Sequence, residues 1–153
     1  MKKLSIYLFF ALNYVATIWF WWHFSGHLIT DSGPAVQWLI IARLCGLLAT
    51  QMALTQLLLI GRIKWIEGVF GLDKLSKIHK WNGYAVLSLI ILHILIVTRA
   101  YSLIDQMGFF EQYISLLTDY EDVLKAFIAF IILLVTVGLS ITIVRRKLKY
   151  ESW

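Results

Sequence analysis

Apolar residues in this chain fall into long runs that short polar segments separate. Each run is long enough to cross a hydrocarbon core of about 30 Å as a helix. The pattern predicts an all-α integral membrane bundle of four transmembrane helices, at about residues 4–26, 36–60, 80–98 and 123–144. The first run lacks a clear small-residue cleavage site, so we interpret it as a retained helix rather than a secretory signal.

Two connecting segments carry local signals. The turn T-D-S-G-P predicts the start of the second helix, with Asp31 or Ser32 as the cap and Pro34 in the first turn. Residues 100–122 are too long and polar for a tight turn, and F-F-E-Q-Y-I-S-L-L within them predicts a short helix lying on the outer membrane surface.

Basic residues are distributed unevenly between the two ends of the predicted helices. They cluster in residues 2–3, 61–80 and 145–149, whereas residues 100–122 are acidic or near neutral. The positive-inside rule therefore predicts that both termini and the 61–80 segment are cytoplasmic. The same distribution accounts for the net charge of +5 without a nucleic-acid partner. Cys45 is the only cysteine, which excludes a disulfide framework and a thiolate metal cluster.

Two histidines, His79 and His93, lie fourteen residues apart in the third predicted helix. On a helix this spacing is about 40° short of four full turns and rises about 21 Å, so both imidazoles share one face at two depths. Neutral imidazole is a good ligand for haem iron, and two such positions suit two centres stacked across a bilayer. Proton relay, metal transport and purely structural histidines remain open on spacing alone.

Three further residues are candidates for function. Arg43 lies about one third of the way into the second helix, at a depth comparable with His93, where it either pairs with an anionic group or extends to the lipid headgroups. His23 and His27 would share a face if the first helix continued, as a metal pair or as interfacial histidines beside the aromatic cluster W-F-W-W-H-F.

Several stretches resemble the ferric reductase-like transmembrane domain, the family of bacterial and fungal ferric reductases and the membrane part of NADPH oxidases. They are A-R-L-C-G-L-L-A, then G-R-I-K-W-I-E-G-V-F-G-L-D-K-L-S-K-I-H-K-W-N-G, then His93 and R-R-K-L-K-Y-E-S-W. The resemblance covers about residues 36–153 and is most specific at 61–93.

The resemblance implies a six-helix domain with two b-type haems between the third and fifth helices. His79 then looks like a ligand to the inner haem and His93 like a ligand to the outer haem. Arg43 matches a family arginine near the outer haem, at its propionate or at the acceptor site. Electrons in such oxidoreductases pass from a cytoplasmic NAD(P)H/flavin donor through the haems to an outside acceptor such as ferric iron.

The chain also departs from the family pattern. In the family, a sequence like K-L-K-Y-E-S-W leads into a fifth helix with the other two histidine ligands, whereas this sequence ends at Trp153. We therefore interpret residues 1–153 as one domain truncated before the fifth helix, in which the second ligand of each haem is absent. FAD and NAD(P)H would act only through a missing domain or a separate reductase protein.

The expected partners are membrane lipid, this reductase domain or protein, and a second chain supplying the fifth and sixth helices or another copy of this chain. The expected location is a bacterial inner (plasma) membrane. Within the family, the haem-bearing subunit of the periplasmic methionine-sulfoxide reductase system is a further possibility. The alternative from another class is a haem-free four-helix membrane assembly or interaction protein. A metal or proton transporter using His23, His27 and Arg43 is disfavoured because no carboxylate lies within any predicted span.

Overall fold

A computed structural model of the chain describes the backbone of residues 2–150 and the side chains of residues 3–142. Within this part there are helices and no strands. The helices are α1 (Lys2–Phe24), α2 (Pro34–Ile60), α3 (Lys64–Phe70), α4 (Leu72–Ile104), α5 (Phe109–Asp119) and α6 (Glu121–Tyr150), with a short 3₁₀ turn at Gly26–Leu28. By length and composition α1, α2, α4 and α6 can cross a membrane. The predicted all-α membrane class with four spans is confirmed.

The centre of the fold is the pair α2 and α4. Ala42, Cys45 and Ile96 form a buried cluster between them, and Leu89 and Val97 pack against it. Small residues at such an interface let two helix backbones approach closely, which is how helices associate where lipid offers no hydrophobic driving force. Contacts between α2 and α4 pair later residues of one helix with earlier residues of the other, so the two helices are antiparallel.

The helices α1 and α3 pack around this pair. The indole Nε1 of Trp21 in α1 donates a hydrogen bond of 2.9 Å to the Ile40 carbonyl in α2. Near the other end of α1, the Tyr7 ring meets Phe70 of α3 edge to face, with 5.3 Å between the ring centroids. Helices α1 to α4 together form one compact unit.

Helices α5 and α6 form a second unit. Within it the rings of Tyr113 and Phe127 meet edge to face at 6.4 Å. At the end of α5, hydrogen bonds from Ser115 and then Thr118 hold the pKa of the exposed Asp119 carboxyl below its ordinary value. Helix α5 contains the stretch F-F-E-Q-Y-I-S-L-L, so the short helix predicted in residues 100–122 is confirmed as a helix.

The structure corrects several local predictions. The N-cap of α2 is Gly33 with no side-chain cap, so capping by Asp31 or Ser32 is wrong. Instead Ser32 donates to the Leu28 carbonyl at 2.7 Å, and Asp31 accepts from Thr30 at 3.3 Å. Pro34 does occupy the first turn of α2.

The loop predicted between the second and third spans is largely helical. It contains α3, and α4 begins eight residues earlier than predicted, at Leu72 rather than residue 80. The segment is polar, but no proline interrupts it and its lysines are good helix formers. His79 is therefore about two turns inside a continuous helix rather than at its end. The basic side chains at 145–149, on which the predicted orientation partly depends, lie outside the described side chains.

Candidate functional site: two histidines facing helix α2

Both histidines of α4 face α2, as their spacing predicts. His93 lies against the first half of α2 and His79 against the last turns of that helix, and each ring is half-buried. Because α4 is continuous between them, the two positions are separated by about 21 Å along the helix axis.

The His93 ring is fixed through one nitrogen. Its Nδ1 donates a hydrogen bond of 2.7 Å to the backbone carbonyl of Ala42. This bond places the proton of the neutral ring on Nδ1 and leaves a lone pair on Nε2. A hydrogen bond from one ring nitrogen to a carbonyl is the usual support of a histidine that binds a metal through the other.

Gly46, one turn after Ala42, makes room for this ring. A Cβ at Gly46 would lie 3.0 Å from both Cε1 and Nδ1 of His93, closer than side chains normally approach. The glycine therefore forms a cradle that a larger residue would fill. The packing of α2 determines where the His93 ring lies.

A different arrangement holds His79. The side-chain amide nitrogen of Gln56 in α2 donates to the backbone carbonyl of His79 at 3.0 Å and to its ring Nε2 at 3.1 Å. Asn82, one turn further along α4, donates from its own amide to the Met52 carbonyl at 2.9 Å and to Oε1 of Gln56 at 2.8 Å. Four hydrogen bonds thus join α2 and α4 at this level.

The direction of each hydrogen bond in this network follows from the two backbone carbonyls. Carbonyl oxygens only accept, so Asn82 must present its NH₂ group to Met52, and its second N–H then meets the oxygen of Gln56. The NH₂ group of Gln56 consequently points at His79. Nε2 of His79 is an acceptor, and a neutral ring carries its proton on Nδ1. This Nδ1 is buried and has no hydrogen-bond partner among the described residues.

Arg43 lies at the same level of the bundle as His93. It follows Ala42, whose carbonyl accepts the hydrogen bond from His93. Its Nη1 donates to the buried hydroxyl of Ser25 at 3.1 Å, and the residue is otherwise exposed. The contact ties α2 to the segment after α1 and leaves further guanidinium N–H groups for an anionic partner.

The structure does not bring His23 and His27 together on one helix. The helix α1 ends at Phe24, and His27 lies in the following 3₁₀ turn. The His23 ring stacks on Trp19, while Nδ1 of His27 contacts the Trp22 carbonyl at 3.0 Å. Within the described part of the chain, no group of three or more His, Cys, Asp or Glu residues could hold a metal ion. These contacts favour the interfacial interpretation of both histidines.

The residues present fit haem at the two positions unequally. Imidazole nitrogen is the right donor for haem iron, and His93 keeps Nε2 outside its supporting bond. At His79 the donor type is right, but Gln56 occupies Nε2. This position fits only if the ring leaves Gln56, and the unpartnered Nδ1 indicates that the resting ring is not in its best arrangement.

The fold and site together define a helical membrane protein with two histidines along one antiparallel helix pair. Residues 45–153 match the family model of the ferric reductase like transmembrane component. Since the match covers more than half of the chain, the protein belongs to this family. The matched region includes His79 and His93 and begins just after Arg43. Comparisons with curated proteins and with solved structures give no match.

Three residues of the site were not predicted as functional: Gly46, Gln56 and Asn82. Polarity could have drawn attention to Gln56 and Asn82, because both interrupt otherwise apolar runs. A neutral polar side chain inside a membrane helix is often a bridge between helices.

Proposed function

We propose that this chain is a transmembrane haem-b electron-transfer domain of a ferric reductase-like oxidoreductase. Its family membership and the placement of His79 and His93 on the α2 side of one helix support this proposal. In the proposed arrangement each histidine binds one haem iron, with His79 at the inner, cytoplasmic centre and His93 at the outer one. Haem bound there supplies a one-electron ferric/ferrous couple.

The observation that carries the proposal is the support of His93. Its Nδ1–H bond to the Ala42 carbonyl and the glycine cradle at Gly46 hold the ring in one orientation with Nε2 as the free donor. A packed histidine in a helix interface also bonds one ring nitrogen, but a ligand must in addition keep Nε2 outside that bond, as His93 does. The fixed orientation and the free Nε2 together are what a haem ligand would need.

Charge near His93 is consistent with an outer centre. The remaining guanidinium N–H groups of Arg43 suit a carboxylate, either a haem propionate or an anionic acceptor. In the proposed direction, electrons enter from a flavin protein fed by NAD(P)H on the cytoplasmic side. They leave beside Arg43 to ferric iron or a similar acceptor. The proposed location is a bacterial plasma membrane.

A second imidazole for each iron must come from elsewhere. The other two histidines, His23 and His27, are exposed, and their described contacts are with Trp19 and with the Trp22 carbonyl rather than with α4. We therefore propose that a helix outside residues 1–153 completes each centre, on a continuation of this chain, on a partner chain or on a second copy.

One observation favours a second candidate function, a haem-free membrane assembly protein. The hydrogen bonds of Gln56 and Asn82 join α2 and α4 without any ligand, and they engage the Nε2 of His79. If the protein is only a scaffold, His79 is part of a structural network and no redox group binds.

A reduced-minus-oxidised spectrum distinguishes the two functions. We would express the chain in membranes with haem supplied, purify it in mild detergent, and compare dithionite-reduced with oxidised protein. The electron-transfer proposal predicts a b-type spectrum from the chain alone or after co-expression with the fifth and sixth helices of the family. Colourless preparations of both, from membranes in which a known b-type cytochrome loads normally, would leave the scaffold as the better account.

A further inference from the structure

The two histidines are held differently, and the difference falls on the atom that would bind iron. His93 is supported through Nδ1, whereas His79 is held through Nε2. Both supports come from α2. We propose that Gln56 is a positioning residue that occupies the ligand nitrogen of His79 and makes this site the weaker one and the second to load. The inference rests on the proposed haem function and adds to it the order in which the two sites bind haem.

The first support for this proposal is how firmly Gln56 is fixed. Its carbonyl oxygen accepts from Asn82, and its NH₂ group donates to the backbone and to the ring of His79. All three contacts are between 2.8 and 3.1 Å. Because two of them do not involve the ring, Gln56 stays in place whether or not the ring does.

The second observation shows that the bond to Gln56 can still be displaced. With Nε2 accepting from Gln56, the Nδ1–H group of His79 is buried without a described partner. Such a group loses its hydrogen bond to water and gains nothing in return. The resting ring is therefore held by one bond and disfavoured at its other nitrogen, so its position is one that a stronger ligand can displace.

The expected difference in affinity follows from one hydrogen bond. Iron can bind Nε2 of His79 only after the bond to Gln56 breaks, while the supporting bond of His93 remains. An ordinary net hydrogen bond corresponds to roughly a fivefold change in an equilibrium constant. Removing the amide should therefore tighten the His79 site about fivefold and leave the His93 site unchanged.

The variant Gln56→Met tests this because methionine has nearly the same length but cannot donate a hydrogen bond to Nε2. Gln51→Met is the matched control, since Gln51 is half-buried five residues earlier on the same helix and its side chain makes none of the bonds that hold His79. Haemin would be added stepwise to haem-free protein in detergent, and binding followed by the Soret band. The variants His79→Ala and His93→Ala assign the two steps.

The proposal predicts two binding steps in the wild type, of which His79→Ala removes the weaker. Gln56→Met should tighten that step about fivefold, and Gln51→Met should leave both steps as they are. If Gln56→Met weakens the step or leaves it unchanged, or if the weaker step belongs to His93, the proposal is overturned.

A second measurement keeps this inference separate from the haem proposal. In haem-free protein with ¹⁵N-labelled histidine, NMR reports which ring nitrogen carries the proton. We expect a protonated Nδ1 and an accepting Nε2 at His79, with the Nε2 signal shifted in Gln56→Met but not in Gln51→Met. A proton on Nε2 in the wild type would refute the role of Gln56 even if haem binds. If the NMR result is as expected but the protein does not bind haem, only the proposed function is refuted.

Discussion

Replacing either histidine of α4 with alanine should remove about half of the b-type signal, because each imidazole is proposed to ligate one iron. His93→Ala should leave the centre at His79, and His79→Ala the centre at His93. The double variant should be colourless. The measurement is the reduced-minus-oxidised spectrum normalised to protein concentration. Loss of the whole signal in one single variant, with the other unaffected, would show one centre rather than two.

Matched controls for this result exist on the same chain. His23 and His27 contact aromatic or backbone groups near the end of α1 and do not face α2 beside the site. His23→Ala and His27→Ala should each retain the full signal. If either variant loses haem as strongly as His79→Ala, that histidine is a ligand and the assignment of the centres is wrong.

Replacing Gly46 with leucine should have the largest effect on the fold. The leucine Cβ alone would lie 3.0 Å from the His93 ring, and the rest of the side chain adds further volume at this contact. Overpacking of this kind typically destabilises a fold by up to about 3 kcal/mol. We expect the free energy of unfolding, measured in mixed micelles with increasing SDS, to fall by about this amount. The half of the haem signal that depends on His93 should also be lost.

Gly138→Leu in α6 is the control for the Gly46 variant. A Cβ at Gly138 would meet nothing within 4 Å, so the added side chain has open space around it. We expect its stability and haem signal to equal those of the wild type. Gly46→Ala should lie between wild type and Gly46→Leu. If leucine is tolerated equally at both positions, the ring of His93 does not depend on the glycine cradle.

The helices and the shared face of His79 and His93 were predictable because both depend on local sequence. An apolar run long enough to span is visible without knowing what packs against it. A fourteen-residue interval fixes the relative direction of two side chains once the segment is helical. The structure confirms both features, since α4 is continuous and both rings face α2.

Helix α3 and the early start of α4 were missed because the hydrophobic pattern carries little information there. A seven-residue helix is too short for a clear period, and only Leu72, Leu75 and Ile78 are apolar in residues 72–80. The cap of α2 was predicted wrongly for another reason. Asp31 and Ser32 are good capping types, but the helix begins one residue too late for Ser32 to be the N-cap.

The roles of Gln56, Asn82 and Gly46 could not be derived from the sequence because they depend on the register between α2 and α4. A shift of one residue in that register would point Gln56 away from His79. Their polarity or small size was visible, but the partner of each was not. Arg43 shows the same limit, since its bond to Ser25 depends on how the segment after α1 folds back.

Electron transfer across a sealed membrane tests the central claim most directly. Haem-loaded protein would be reconstituted in vesicles that contain ferricyanide, and dithionite would be added outside. We predict that the trapped ferricyanide is bleached in wild-type vesicles. With His79→Ala or His93→Ala it should be bleached only at the background rate of protein-free vesicles, because one of the two centres is missing. Bleaching at the background rate by haem-loaded wild-type protein would contradict the account.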